Sequence, residues 1–233
     1  KYDNTEHKVK VVTHYENHTY TAHRFLKTDD LDIFIRDSQA IRILDKIVST
    51  PHFQSINTII SARKPFGFES QIIKTSIFHT TKDDMDTPIL CYGKAAQTGY
   101  IELSEIHSHT QWIDKWKVYV PESNNIGTEL NDDNQNSFVG VPGTICTETY
   151  LVVGAELNLT KRKATHLSNY LKTKFARFLL SLAKISQHGT SKTYRFIPIQ
   201  DFSKSWTDAE LYKKYGLTDT EITFIESKIK PMK

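Results

Sequence analysis

A mixed α/β chain, of the α+β kind, is what this sequence predicts, and three patterns predict it. Between Gln71 and Val153, short runs of β-branched and aromatic residues alternate with Gly, Asn, Asp and Pro, which reads as strands joined by turns. From Leu167 to Ile185 the apolar residues recur at spacings of three and four, the period of an amphipathic helix. Near the end, Thr207-Asp208-Ala209-Glu210 and Thr218-Asp219-Thr220-Glu221 are two capping boxes, each the start of a short helix. With 233 residues, 38% of them apolar and 24% charged, the chain can bury a substantial core.

Taken in order, residues 8–15 and 18–25 flank Glu16-Asn17 and predict a hairpin. Asp37 or Ser38 caps the next helix, which buries Ala40, Ile41, Ile43, Leu44, Ile47 and Val48 and stops at Thr50-Pro51. An apolar run at 56–60 leads into Ser61-Ala62-Arg63-Lys64-Pro65-Phe66-Gly67, a turn with Pro65 at its second position and Gly67 at its exit. Phe66 is expected to plug the core, while Arg63 and Lys64 are free to meet a phosphate. Strands of one mixed sheet are expected at 72–78, 89–92, 99–103, 116–120 and 144–153. Two acidic, turn-rich inserts, at 82–86 and 122–136, read as mobile surface loops. Cys91 and Cys146 sit among apolar neighbours and are expected to pack as small hydrophobes.

Charge is divided unevenly. Residues 157–200 hold nine Lys or Arg and no Asp or Glu, and the remaining chain keeps twenty-one basic against twenty-seven acidic residues. Such a split suggests a surface that meets a polyanion. The helical pattern inside this stretch predicts one long basic helix near residues 161–187, capped by Asn158 or Thr160 and closed by Gly189. Lys172, Lys174, Arg177 and Lys184 fall largely off its apolar stripe, and Lys192 and Arg195 follow in a hydroxyl-rich loop. Gln187 and His188 stand at the expected helix end, where they either read base edges or donate to the last carbonyls of the helix.

One ordered series of segments is more specific than any single pattern. It comprises the turn at Ser61–Gly67, Thr147-Glu148-Thr149-Tyr150, Lys172-Thr173-Lys174-Phe175-Ala176-Arg177-Phe178-Leu179-Leu180, Gln187-His188, Phe196-Ile197-Pro198-Ile199-Gln200-Asp201-Phe202-Ser203 and Trp206-Thr207-Asp208. Together these resemble the C-terminal region of bacterial restriction–modification adenine-N6 methyltransferases (type IIG-like), in which catalytic and target-recognition parts share one polypeptide. The resemblance spans residues 32–232. It implies a target recognition domain, similar to those of type I specificity subunits, which pair an α/β globular part with a helical arm.

On that resemblance the partner is double-stranded DNA, with contacts expected from Arg63, Lys64, Lys172, Lys174, Arg177, Lys184, Gln187, His188, Lys192 and Arg195. Residues 1–200 would form the recognition domain, hairpin 8–25 would pack on a missing N-terminal methyltransferase domain, and residues 201–233 would be a helical closing element. The family's catalytic half carries an Asn/Asp-Pro-Pro-Tyr/Phe motif and a glycine-rich loop for S-adenosylmethionine. This chain has no Asn-Pro, Asp-Pro or Pro-Pro dipeptide and no strand–GxG–helix pattern. No catalysis and no cofactor are therefore expected of it, and S-adenosylmethionine would belong to the absent domain.

Other chemistry is poorly supported. His107 and His109 share a strand phase, but no third ligand follows at metal spacing. Asp83, Asp84 and Asp86 lie in a loop without the strand-borne Glu-x-Lys of a nuclease, and no Gly-x-Ser-x-Gly elbow exists. No apolar run is long enough to span a bilayer and no signal peptide opens the chain, so the expected compartment is the cytoplasm. The competing expectation is an assembly module whose helix docks on a partner subunit; an uncovered apolar stripe would favour it. RNA binding is the weaker third reading.

Overall fold

A computed structural model describes residues 7–14, 19–26, 33–128 and 132–232. Successive side chains of a strand point to opposite faces, and in β5 (Lys117–Pro121) both faces are buried. Val118 and Val120 enter a core shared with the helices, while Tyr119 enters a second core with Cys91, Ile101, Ile145 and Val152. β5 is the middle strand of an antiparallel sheet, between β6 (Phe138–Gly140) and β8 (Tyr150–Val153). In a second sheet β3 (Pro88–Tyr92) lies between antiparallel β4 (Thr98–Glu102) and parallel β7 (Thr144–Cys146). The expected hairpin is present as β1 (Val9–His14) and β2 (Thr19–Arg24), although its turn, Glu16-Asn17, lies outside the described residues. Arg24 ties it to the rest of the chain, donating from Nε to Ser38 Oγ at 2.9 Å and from Nη2 to the Ile35 carbonyl at 2.5 Å.

The strand region thus departs from the single mixed sheet expected. Residues 144–153 are two strands in different sheets, parted by a turn in which the Tyr150 N–H donates to the Thr147 carbonyl at 3.2 Å. Residues 72–78 form no strand; Ser70–Lys74 is a short 3-10 turn. The Glu148 carboxylate takes both the N–H and the hydroxyl of Ser70, and Thr75 Oγ1 donates back to the Ile72 carbonyl at 2.7 Å. Local side-chain bonds of this kind compete with a sheet ladder. The insert at 122–136 is not all surface either, since Ile126, Asp133 and Gln135 are buried.

The helices pack on the β5 sheet and on each other. α1 (Ser38–Val48) begins at Asp37, whose side chain accepts from the Gln39 N–H, and buries Ala40, Ile43, Leu44 and Ile47. The expected long helix is two. α2 (Lys161–Lys172) is capped by Thr160, whereas Asn158 is left-handed. Thr173 is extended, and its hydroxyl accepts from Ala176 to open α3 (Lys174–Ala183). Lys184 is again extended, so α3 stops well before Gly189. α4 (Asp208–Lys214) and α5 (Asp219–Lys228) both carry complete capping boxes. Leu211, Tyr212, Tyr215, Ile225 and Ile229 share one core with Leu44, Phe175 and Phe178. Among the described residues no helix is long and apolar enough to cross a membrane.

Two buried lysines and two buried thiols give this core a pH dependence. Lys117 Nζ donates to the carbonyls of Ile113 and Lys115, both at 3.0 Å, and burial lowers its pKa to about 8. Lys184 Nζ donates to the Asn124 carbonyl at 2.7 Å, and burial lowers it likewise to about 8. Burial pushes Cys91 up to about 12 and raises Cys146 as well. An unfolded lysine holds its proton to about pH 10.4, so above pH 8 the unfolded chain binds more protons at the lysines and rising pH favours folding. Unfolded thiols lose theirs near pH 8.5 while the folded ones keep them, which favours unfolding. The Cys91→Ala/Cys146→Ala chain should therefore gain stability between about pH 8 and 9.5, with a flatter profile in the parent; urea titrations at stepped pH measure both.

Candidate nucleic-acid interface

Three distant segments are drawn to one place by extensions of β5 and β8. Ser61 extends the edge of β8: its N–H donates to the Val152 carbonyl at 2.8 Å, and its hydroxyl accepts from the Val152 N–H at 2.9 Å. The following turn closes with the Gly67 N–H on the Lys64 carbonyl at 2.9 Å, and Gly67 has a φ of 88°. Phe66 is buried edge-on against Trp112, as expected of the plug. Arg63 is left 61% exposed, its Nη2 3.0 Å from Glu148 Oε2. On the other side, the Glu122 N–H donates to the Thr149 carbonyl, and the Asn124 N–H to the Gln187 carbonyl at 3.1 Å. His188 is thereby placed with Nδ1 3.0 and 3.1 Å from the two Glu122 oxygens.

The result is a cleft of about 780 Å³ lined by Arg63, Glu148, Tyr150, Glu122 and His188, among others. Its floor is aromatic. Phe138 meets Tyr92 and Tyr150 edge-on, with centroids 5.0 and 5.3 Å apart, and Tyr119 lies beneath. Gly140 permits this packing, because a Cβ there would stand 2.5 Å from the Tyr119 ring. Burial raises the pKa of Tyr92 and of Tyr150. Burial also works to raise Glu148, but two hydrogen bonds from Ser70 and the charges of Arg63 and Lys64 hold it below its ordinary value. At the rim, the β3–β4 turn presents Lys94 beside Ala95 and Ala96, both left-handed, a conformation alanine seldom adopts.

Of the ten residues expected to touch DNA, Arg63 and His188 line this cleft, and Lys64 stands on the same turn, paired with Glu69. Lys192 is exposed in the 3-10 turn Ser191–Tyr194, and the Arg195 guanidinium lies 5.8 Å from the Phe196 ring centroid. Lys172 is half-buried at the end of α2, and Lys174 pairs with Glu226. Arg177 and Lys184 are corrections: they are 3% and 2% exposed. Arg177 donates from Nε to the Lys172 carbonyl and from Nη1 to the carbonyls of Asp133 and Lys230. Arg177 is spent on backbone carbonyls and Lys184 on the carbonyl and the side-chain oxygen of Asn124, so neither presents a charge to a phosphate. Gln187 is exposed, and the capping role weighed for Gln187 and His188 falls because α3 ends at Ala183 with Lys184 as its cap.

Tyr92, Lys94, Glu122, Phe138 and Tyr150 had no assigned role on sequence. Glu148 and Tyr150 stood inside a quoted segment, which was the one signal available for them. His109 stacks on Trp112 with centroids 3.9 Å apart, and its Nδ1 lies 2.6 Å from the Pro65 carbonyl. No three His, Cys, Asp or Glu converge as metal ligands among the described residues. The glycine between β8 and α2, Gly154, has the side chains of Leu159 and Leu167 3.0 Å from where a Cβ would stand. Compared with known proteins, the chain matches no family model and no curated sequence.

Proposed function

We propose that this chain is a non-catalytic target recognition domain, reading double-stranded DNA for an adenine-N6 methyltransferase of the restriction–modification kind. The observation that carries this reading is the convergence of three resembling segments, at residues 61–67, 147–150 and 187–188, on one cleft with a basic rim. A role in folding alone would not require Arg63 and His188 to stay largely exposed there, at 61% and 72%. Arg63, Lys64, Lys94 and Lys192 supply phosphate contacts, and the cleft supplies the reading of bases. Methyl transfer and S-adenosylmethionine binding belong to a methyltransferase part with which the domain works. The assembly alternative keeps only the end of the stripe, Ile185 at 91% exposed, because Leu167, Tyr170, Leu171, Phe175, Phe178 and Leu179 are covered by the chain's own core.

Fluorescence anisotropy with a mixed-sequence duplex, repeated over a salt series, tests the reading. Log affinity should fall linearly with log salt, and Arg63→Gln, Lys94→Gln and Lys192→Gln should each lower the slope by about one. Absence of duplex binding at low salt, or an unchanged slope in all three variants, would overturn it.

A further inference from the structure

We propose that the cleft takes an unpaired nucleobase bearing an exocyclic amine, whether cytosine, adenine or guanine, with its phosphate on the basic rim. This rests on the DNA-reading role above and names what the same site holds.

Both carboxylates of the cleft are recessed, and both are screened by a far more exposed basic side chain. Glu148, 13% exposed, lies under Arg63 at 61%, and Glu122, 17% exposed, lies under His188 at 72%. An ion pair with one exposed partner holds weakly, so a guest that offers Arg63 an anion displaces it at little cost. Within Glu148 the two oxygens differ. Oε1 accepts from the Ser70 N–H at 3.1 Å and from the Ser70 hydroxyl at 3.0 Å, which fixes the carboxylate in place. Oε2 is buried 3.0 Å from Arg63 Nη2, a charge contact not aligned as a hydrogen bond. Once the exposed Arg63 swings aside, this fixed acceptor has room for an N–H donor.

The amines of cytosine N4, adenine N6 and guanine N2 are such donors, whereas uracil and thymine carry no amine and present a carbonyl oxygen where cytosine has N4, which the carboxylate repels. Half-buried Tyr92, Phe138 and Tyr150 give a planar ring something to pack on. As the amine takes Oε2, the released Arg63 is free for the phosphate, so Arg63 keeps an anionic partner and Glu148 keeps a donor. Bases inside a duplex are stacked and cannot enter a cleft, so the guest is extrahelical. A cationic side chain would also favour aromatic rings and carboxylates. It would, however, meet Arg63 and Lys94 on the rim with no negative charge to offer them.

The chain, labelled with fluorotyrosine, is titrated with the 5′-monophosphates of cytidine, adenosine, uridine and thymidine while ¹⁹F spectra are recorded. Cytidine and adenosine monophosphates should shift the Tyr92 and Tyr150 signals with about tenfold tighter affinity than the other two. Glu148→Gln should cut that preference to about twofold or less, and Glu122→Gln provides the same comparison should Glu148→Gln fail to fold. Four equal affinities, or no shift with any nucleotide, would overturn the proposal; if the duplex still binds, the DNA-reading role survives that result. Selective nucleotide binding without duplex binding would uphold the base site and remove the DNA role. Tighter binding of trimethyl-lysine than of cytidine monophosphate would reassign the cleft to a cationic partner.

Discussion

Replacing Arg177 by methionine should cost about 3–5 kcal/mol of folding stability, read by urea or thermal denaturation. The guanidinium is 3% exposed and joins three segments through carbonyls: the end of α2 at Lys172, the insert at Asp133, and the chain after α5 at Lys230. Burial pulls its pKa down, and the nearby charges of Asp133, Asp208 and Glu226 act to hold it up. Methionine fills part of the volume but donates nothing, so buried acceptors lose their partners and Asp133, itself 3% exposed, loses a compensating cation. Lys192→Gln, on an exposed side chain, should stay within about 0.5 kcal/mol of the parent. A normal melting curve for Arg177→Met together with weakened duplex binding would return Arg177 to the DNA surface.

Arg177 also shows where the sequence is readable and where it is not. Periodicity located most of the apolar stripe, because Leu167, Tyr170, Phe175, Phe178 and Leu179 are all buried at the spacing a helix demands, but it ran too far: Ile185, beyond the end of α3, is 91% exposed. The same periodicity assigned Arg177 and Lys184 to a charged face. It counts residues around one helix and cannot see a second layer, here Asp133 and Asn124 from the insert at 122–136, closing over that face. The insert itself looked like surface because its Asn, Asp and Gly are turn formers, yet its carbonyls, with the side-chain oxygen of Asn124, are what the buried cations require. Capping boxes were legible for a related reason: Thr207–Glu210 and Thr218–Glu221 satisfy each other within four residues.

The cleft was half legible for similar reasons. Arg63 could be found because a Pro-Gly turn fixes its backbone locally. Tyr92, Phe138 and Glu122 could not, since each takes its place from pairings with segments nineteen or more residues away: β3 with β7, Phe138 with Tyr119, and 122–124 with 187–189. Short strands such as β6, three residues long, leave almost no alternation to detect.

The break between α2 and α3 leads to the second large effect. Asp208→Ala should destabilise the chain by about 3 kcal/mol, since hydrogen bonds to a charged acceptor are worth about 1.5–3 kcal/mol each and two would be lost. Asp208 opens α4, yet its carboxylate reaches across to the start of α3, accepting from the Lys174 N–H at 3.1 Å and the Phe175 N–H at 2.8 Å. A negative charge there also meets the positive end of two helix dipoles. Thr173 supplies the remaining cap, accepting from the Ala176 N–H at 3.1 Å, and Thr173→Ala should cost only about 1 kcal/mol. Phe175, held by this arrangement, stacks on Tyr215 with centroids 5.1 Å apart, so loosening the cap also loosens the seat of α4. Lys174→Gln removes the nearby ion pair with Glu226 and should cost about 1 kcal/mol or less. Thermal unfolding of the three variants separates the contributions. If Asp208→Ala melts with Lys174→Gln rather than well below it, Thr173 alone starts α3, and the Trp206-Thr207-Asp208 segment has no part in breaking the helix.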